Sequence, residues 1–270
     1  LFGFGGIISL FPYCVREDRM DIQLKEKFIA GWQKYFPGAE LPICFYYTDK
    51  ELGADYVPQP PGHQCMIGVL ARARRGETLR FDTASIGCFG GKRYAGFAAE
   101  VRPDFSYFLS CGIPGKMEGE RYKKTPELVG KMLESSRKFT APAKYIVFKR
   151  FDMIEETEEP AAAVFFAPPD VLSGLFTLAN FEEAEPNGVF CPFSAGCGSI
   201  IQYPYQENGS ARPRAVLGMF DVSARPFVPK GTLTFAAPMI KFARMIENMD
   251  ESFLITKSWE KVKDRLVSAG

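Results

Sequence analysis

One histidine, His63, stands in the whole chain, and its isolation removes more chemistry than any other feature of the composition. A site built on two or three imidazoles of one chain is excluded, and with it the His-Glu-x-x-His zinc motif. The lipase-type Gly-x-Ser-x-Gly motif is also missing. Net charge is equally scarce: 33 Lys and Arg against 32 Asp and Glu leave a formal +1. That balance is too small for binding phosphate backbones over a whole surface, and no recognisable module accompanies it, so no nucleic-acid partner is expected. Pro, Gly or charge breaks every apolar run before the length of about 18 residues that a membrane helix needs, so no membrane association is expected either. Residues 1–12 are apolar, but they lack a basic start and a small-residue cleavage signature and soon meet Arg16-Glu17-Asp18-Arg19. They read as a packed terminal segment of a cytoplasmic protein.

Close Cys-x2-Cys pairs are missing as well, although seven cysteines are present. An odd number spread widely over a long chain argues for reduced thiols or ligands rather than a secreted disulfide scaffold. With 270 residues, 46% of them hydrophobic, the chain has ample apolar surface for a core and needs no staples.

The pattern along the chain predicts helices and strands in alternation. An apolar stripe of Ile22, Phe28, Ile29 and Trp32 predicts a helix over residues 20–35, ended by Pro37-Gly38. Residues 41–47 read as a strand, and a helix follows from His63 or Cys65 to a turn at Gly76. The glycines at 87, 90, 91 and 96 read as tight turns. Thr125-Pro126-Glu127 supplies an N-cap, a first-turn proline and early negative charge for a helix to about Ser136. Strands are expected at 144–149, 161–167, 215–220 and 232–236. Helices are expected at 169–179, 194–202, 239–249 and 258–266. The fold class is therefore α+β or mixed α/β, a single compact domain with possible halves 1–155 and 161–270 on either side of the acidic loop 155–160. A weak echo links the halves. An aromatic strand, Cys44-Phe-Tyr-Tyr47 or Val164-Phe-Phe166, precedes a cysteine segment at Cys65 or Cys191, with Gly-Cys88-Phe-Gly-Gly or Val216-Leu-Gly-Met-Phe220 after it.

Four blocks in fixed order, Leu41-Pro-Ile-Cys-Phe-Tyr-Tyr47, His63-Gln-Cys65, Gly87-Cys88-Phe-Gly-Gly with Gly96-Phe97, and Gly188-Val-Phe-Cys191 through Gly198, resemble the family called domain of unknown function 169. The resemblance covers most of the chain. It implies no reaction, but its association with anaerobic bacteria and archaea accommodates oxygen-sensitive metal chemistry.

Thiolates are soft donors suited to iron–sulfur clusters or zinc. Cys65, Cys88, Cys191 and Cys197 form a four-thiolate set if the loops of the two halves face each other, with glycine amides turned toward the sulfurs. Cys14 and Cys44 lie in apolar surroundings and read as core, and Cys111 is a reserve ligand. His63, two residues before Cys65, and Lys92 and Arg93 after the glycines would shape access to the cofactor or contact an anion. Arg72, Arg74, Arg75 and Arg80 read as solvated charge. The functional expectation is a cysteine-ligated iron–sulfur redox protein or oxidoreductase component, served by a redox partner or a small anionic ligand. Two alternatives stand beside it: a metal-free small-molecule or protein-binding module with structural cysteines, and an enzyme using Cys65 or Cys197 as a nucleophile.

Overall fold

The computed structural model describes residues 22–51, 55–56 and 64–268. The opening segment, Cys14 and His63 lie outside the described residues. The first part of the chain contributes α1 (Ile22–Tyr35), β1 (Ile43–Thr48), β2 (Asp55–Tyr56), α2 (Met66–Arg74), β3 (Leu79–Phe81), α3 (Phe89–Tyr94), α4 (Phe105–Phe108), α5 (Pro126–Ser135) and β4 (Tyr145–Arg150). The second contributes β5 (Ala162–Ala167), α6 (Pro169–Ala179), β6 (Val189–Phe190), α7 (Tyr203–Glu207), β7 (Ala215–Gly218), β8 (Leu233–Pro238), α8 (Met239–Glu247) and α9 (Lys257–Ser268). The caps behave as the sequence suggests. Thr125 Oγ1 accepts the Leu128 N–H at 3.4 Å with Pro126 in the first turn of α5, and Gly76, at φ +101°, turns the chain after α2.

All strands join one mixed sheet in the order β2-β3-β4-β1-β5-β8-β7-β6, so the fold is mixed α+β in a single compact domain. The order has an internal repeat. Outward from the central antiparallel pair β1–β5, one side runs β1, β4, β3, β2 and the other β5, β8, β7, β6. In each, the first and fourth strands pair antiparallel, the fourth and third antiparallel, and the third and second parallel. A parallel pair needs a crossover, supplied by α2 on one side and by a helical run, residues 196–207, on the other.

Alternation along the strands divides the core between two faces. On one face Cys44, Phe165 and Phe235 pack against α1, α6 and α8. On the other, Phe45, Phe148, Val164 and Ala236 pack against α2 and the run 196–207. Each large side chain so buried contributes about 1.5–3 kcal/mol. Lys149 and Glu158 form a buried pair at 2.8 Å, completed by the Tyr46 hydroxyl donating to Glu158 at 2.5 Å. Every member of that group has a partner, so it reads as structural.

Candidate functional site

The two crossovers start beside each other on the second face, and each starts with a cysteine. Cys65 is the N-cap of α2. Cys197 lies in the first turn of the run 196–207 and is 5% exposed. Cys88 is the N-cap of α3, its sulfur accepting the Gly91 N–H at 3.4 Å. The glycine-rich stretch read as turns is thus partly a short helix, because Cys88 caps it.

Close packing holds these starts together. A β-carbon at Gly91 would sit 3.3 Å from Met66 Cβ, the first residue of α2. One at Gly196 would sit 3.4 Å from Ile67 Cγ1 and 3.0 Å from Met219 Sδ. A methyl group at either glycine would make these neighbours give by a few tenths of an ångström, so glycine suits the close approach.

The sulfurs also lie within reach of one another's charge. Burial pushes the Cys197 thiol well up, and the charges of Cys88, Cys65 and Asp221 push it further. Burial also raises the Cys65 thiol, with Cys88 and Asp221 adding to the rise and the amides of Gly68 and Ile67 offsetting part of it. The structure therefore brings Cys65, Cys88 and Cys197 together with an acid the sequence reading missed, Asp221. That carboxylate is held by three donors: Gly196 N–H at 3.0 Å, Ser223 N–H at 3.0 Å and Ser223 Oγ at 2.7 Å. Its sequence signal was its place just after the stretch Val216-Leu-Gly-Met-Phe220.

Two backbone irregularities adjoin the cluster. Gly198–Gln202 is π-helical, directly after Cys197, and π-turns are frequent at functional sites. Met219, buried and not glycine, holds φ +69° two residues before Asp221, a conformation that costs about 1–3 kcal/mol. Ser199 ties the two together, donating to Gly196 O at 2.8 Å and accepting from Met219 N–H at 3.4 Å.

The other expected residues stand elsewhere. Cys191 is exposed, its thiol raised by partial burial alone, and it is not among the groups that act on the other three sulfurs. Cys44 is fully buried in the opposite core, and Cys111 is exposed. Lys92 follows Cys88 on α3, while Arg93 is turned away to Ala99 O at 2.6 Å. Three of the four clustered arginines are engaged: Arg74 holds Glu40 through two bonds of 2.6 and 2.7 Å, Arg72 holds Glu77 at 2.6 Å, and Arg80 lies over the Tyr145 ring at 4.7 Å. Phe89, Phe193, Phe220 and Val222, neighbours in sequence of Cys88, Cys191 and Asp221, are exposed.

Among the described residues, no three or more His, Cys, Asp or Glu side chains close on a single metal ion. A lone zinc would draw its sulfur donors in to about 2.3 Å from the metal.

A family model described as uncharacterised ArCR matches residues 39–248, from before β1 to the end of α8. The chain belongs to the domain of unknown function 169 family. The family match contains every residue of the thiol cluster and both halves of the repeated sheet. No curated protein and no solved structure matches the chain.

Proposed function

We propose that this member of the domain of unknown function 169 family is a cytoplasmic iron–sulfur redox protein whose cluster is held by Cys65, Cys88 and Cys197, with Asp221 facing the remaining position. The observation that carries the reading is that Cys65, Cys88 and Cys197 stand at the starts of three helical segments packed against one another on one face of the sheet. Sulfur donors suit iron, and the chemistry the cluster would supply is one-electron transfer.

The chain's own residues set the terms of that transfer. The Gly91 amide donates to the Cys88 sulfur, where hydrogen bonding raises a cluster's potential; Asp221 adds negative charge and lowers it. Burial of Cys197 excludes water on one side. The exposed apolar side chains Phe89, Phe193, Phe220 and Val222 offer a redox partner a face next to the thiols. Cys191 belongs to that outer face and not to the ligand set.

A metal-free binding module is the second reading. What favours it is the burial that keeps the Cys197 thiol protonated, as in a cysteine packed as a small hydrophobe.

Protein purified without oxygen decides between them. The redox reading expects iron and acid-labile sulfide in near-equal amounts, with broad visible absorption bleached by dithionite. Repeated failure to take up iron after anaerobic reconstitution would leave the metal-free module.

A further inference from the structure

Around the thiols stands a collar of outward-facing apolar side chains. Phe227 is exposed and lies on α2 one turn beyond Cys65, where a β-carbon at Gly68 would sit 3.1 Å from its ring. Phe89 follows Cys88 directly, and Phe220 and Val222 flank Asp221. Phe193, ahead of Cys197, is 60% exposed, and Val222 is 68% exposed. Each residue of the site thus has an exposed apolar neighbour. The segments that carry them touch: Gly196 N–H donates to Asp221 at 3.0 Å, and Ser194 Oγ and the Tyr94 ring both close on Gly198. An exposed apolar patch with a polar rim marks a surface for another protein.

The rim of this patch is basic. Lys123 Nζ stands 4.1 Å over the Phe193 ring, and Tyr122, between Arg121 and Lys123, lies within reach of the Asp221 charge. Arg121 and Lys124 are exposed, and Lys92 stands on α3 one turn after Phe89. None of these cations has an ion pair among the described residues, whereas Lys116 on the same segment is held by Asp104 at 2.9 Å. Of the acids nearby, Asp221 is already held by three donors, which leaves Glu118 and Glu120. The chain as a whole carries only +1, so the surplus of positive charge on this face is a local feature.

We infer that this collar docks an acidic electron-carrier protein, whose apolar centre meets the exposed phenylalanines and whose carboxylates meet Lys92, Lys123 and Lys124. The inference rests on the redox reading of the thiol site and names the partner of that site. A second copy of the chain fits worse. A two-fold contact sets the same patch against itself, and the cations would then oppose each other. An acidic carrier matches both parts of the surface: apolar contact holds the docked pair, and the opposite charges steer the encounter. Each encounter passes one electron from the reduced cluster to the oxidised carrier, and no bond forms or breaks.

Stopped-flow oxidation of the reconstituted chain, reduced with dithionite and freed of the excess, tests it. The oxidants are two proteins of opposite charge, acidic plastocyanin, whose copper(II) takes the electron, and basic cytochrome c, whose iron(III) takes it. The expected plastocyanin rate falls about tenfold between roughly 0.01 and 0.5 M salt, as screening of a local charge patch requires, while the cytochrome c rate does not fall. Lys123→Glu should lower the plastocyanin rate at low salt by about fivefold, and Phe193→Ser should lower it at every salt concentration. Iron content and thermal unfolding should stay unchanged in both. A plastocyanin rate indifferent to salt, or one that Lys123→Glu leaves as it was, would overturn the inference while the retained iron keeps the redox reading. A chain that takes up no iron would overturn both.

Discussion

Single thiols in this chain differ by surroundings more than by chemistry. Cys44 and Cys197 are buried and their thiols are pushed well up, whereas Cys111 and Cys191 are exposed. Because the thiolate is the reactive form, iodoacetamide at pH 8 on the folded, metal-free protein should label Cys111 and Cys191 first and leave Cys44 and Cys197 unmodified, as peptide mass mapping would show. Early labelling of Cys197 would contradict the burial argument. Cys44 was legible as core because apolar neighbours surround it in sequence. Cys191 was grouped with Cys65, Cys88 and Cys197 on the condition that the loops of the two halves face each other, but the chain between Cys191 and Cys197 leaves one exposed and carries the other inward. Asp221 was hidden because its importance comes from tertiary contacts with Gly196, 25 residues away in sequence.

Among the elements, those with a strong local signal matched the sequence reading: α1, α5, α6, α8 and the central strands. Helix α3 and the short strands β2 and β6 were missed, since two strand residues carry no periodicity and glycines mask a helix. The run 196–207 extends beyond the expected 194–202 and contains the π-helical turn. Its geometry is open to direct challenge at Gly198. Alanine in place of a helical glycine usually stabilises by about 0.5–1 kcal/mol. Here the added carbon would lie 2.0 Å from Ser194 Oγ and 2.9 Å from the Tyr94 ring. The serine can rotate, but the ring is packed, and overpacking costs about 1–3 kcal/mol. Gly198→Ala should therefore lower the urea midpoint; a raised midpoint would show that Tyr94 does not pack on this turn.

At the scale of the whole molecule, the repeated strand order makes the site intelligible. Cys65 and Cys197 begin equivalent crossovers, and Cys88 and Asp221 follow equivalent strands, β3 and β7. The echo noted in sequence thus has a topological counterpart, except that the partner of Cys65 is Cys197 and not Cys191.

The folded state as a whole also depends on carboxylates held below their ordinary values. Arg150 lowers Asp152, and Tyr35 and Lys34 lower Asp250. Burial raises Glu183, but Lys241 and Arg212 lower it by more. A carboxyl depressed by folding contributes stability that is complete above its unfolded value and is lost as pH falls through the folded one. Thermal stability should hold from neutral pH to about 4.5 and then fall steeply, with the fall shallower in Glu183→Gln. A midpoint that rises on acidification would contradict these pairings.

The central claim is that Cys65, Cys88 and Cys197 hold the cluster while Cys191 does not. It is tested most directly by iron content in four single variants reconstituted together without oxygen. The expected result is iron lost in Cys65→Ser, Cys88→Ser and Cys197→Ser and retained in Cys191→Ser. Equal iron in all four, or its loss only in Cys191→Ser, would contradict it.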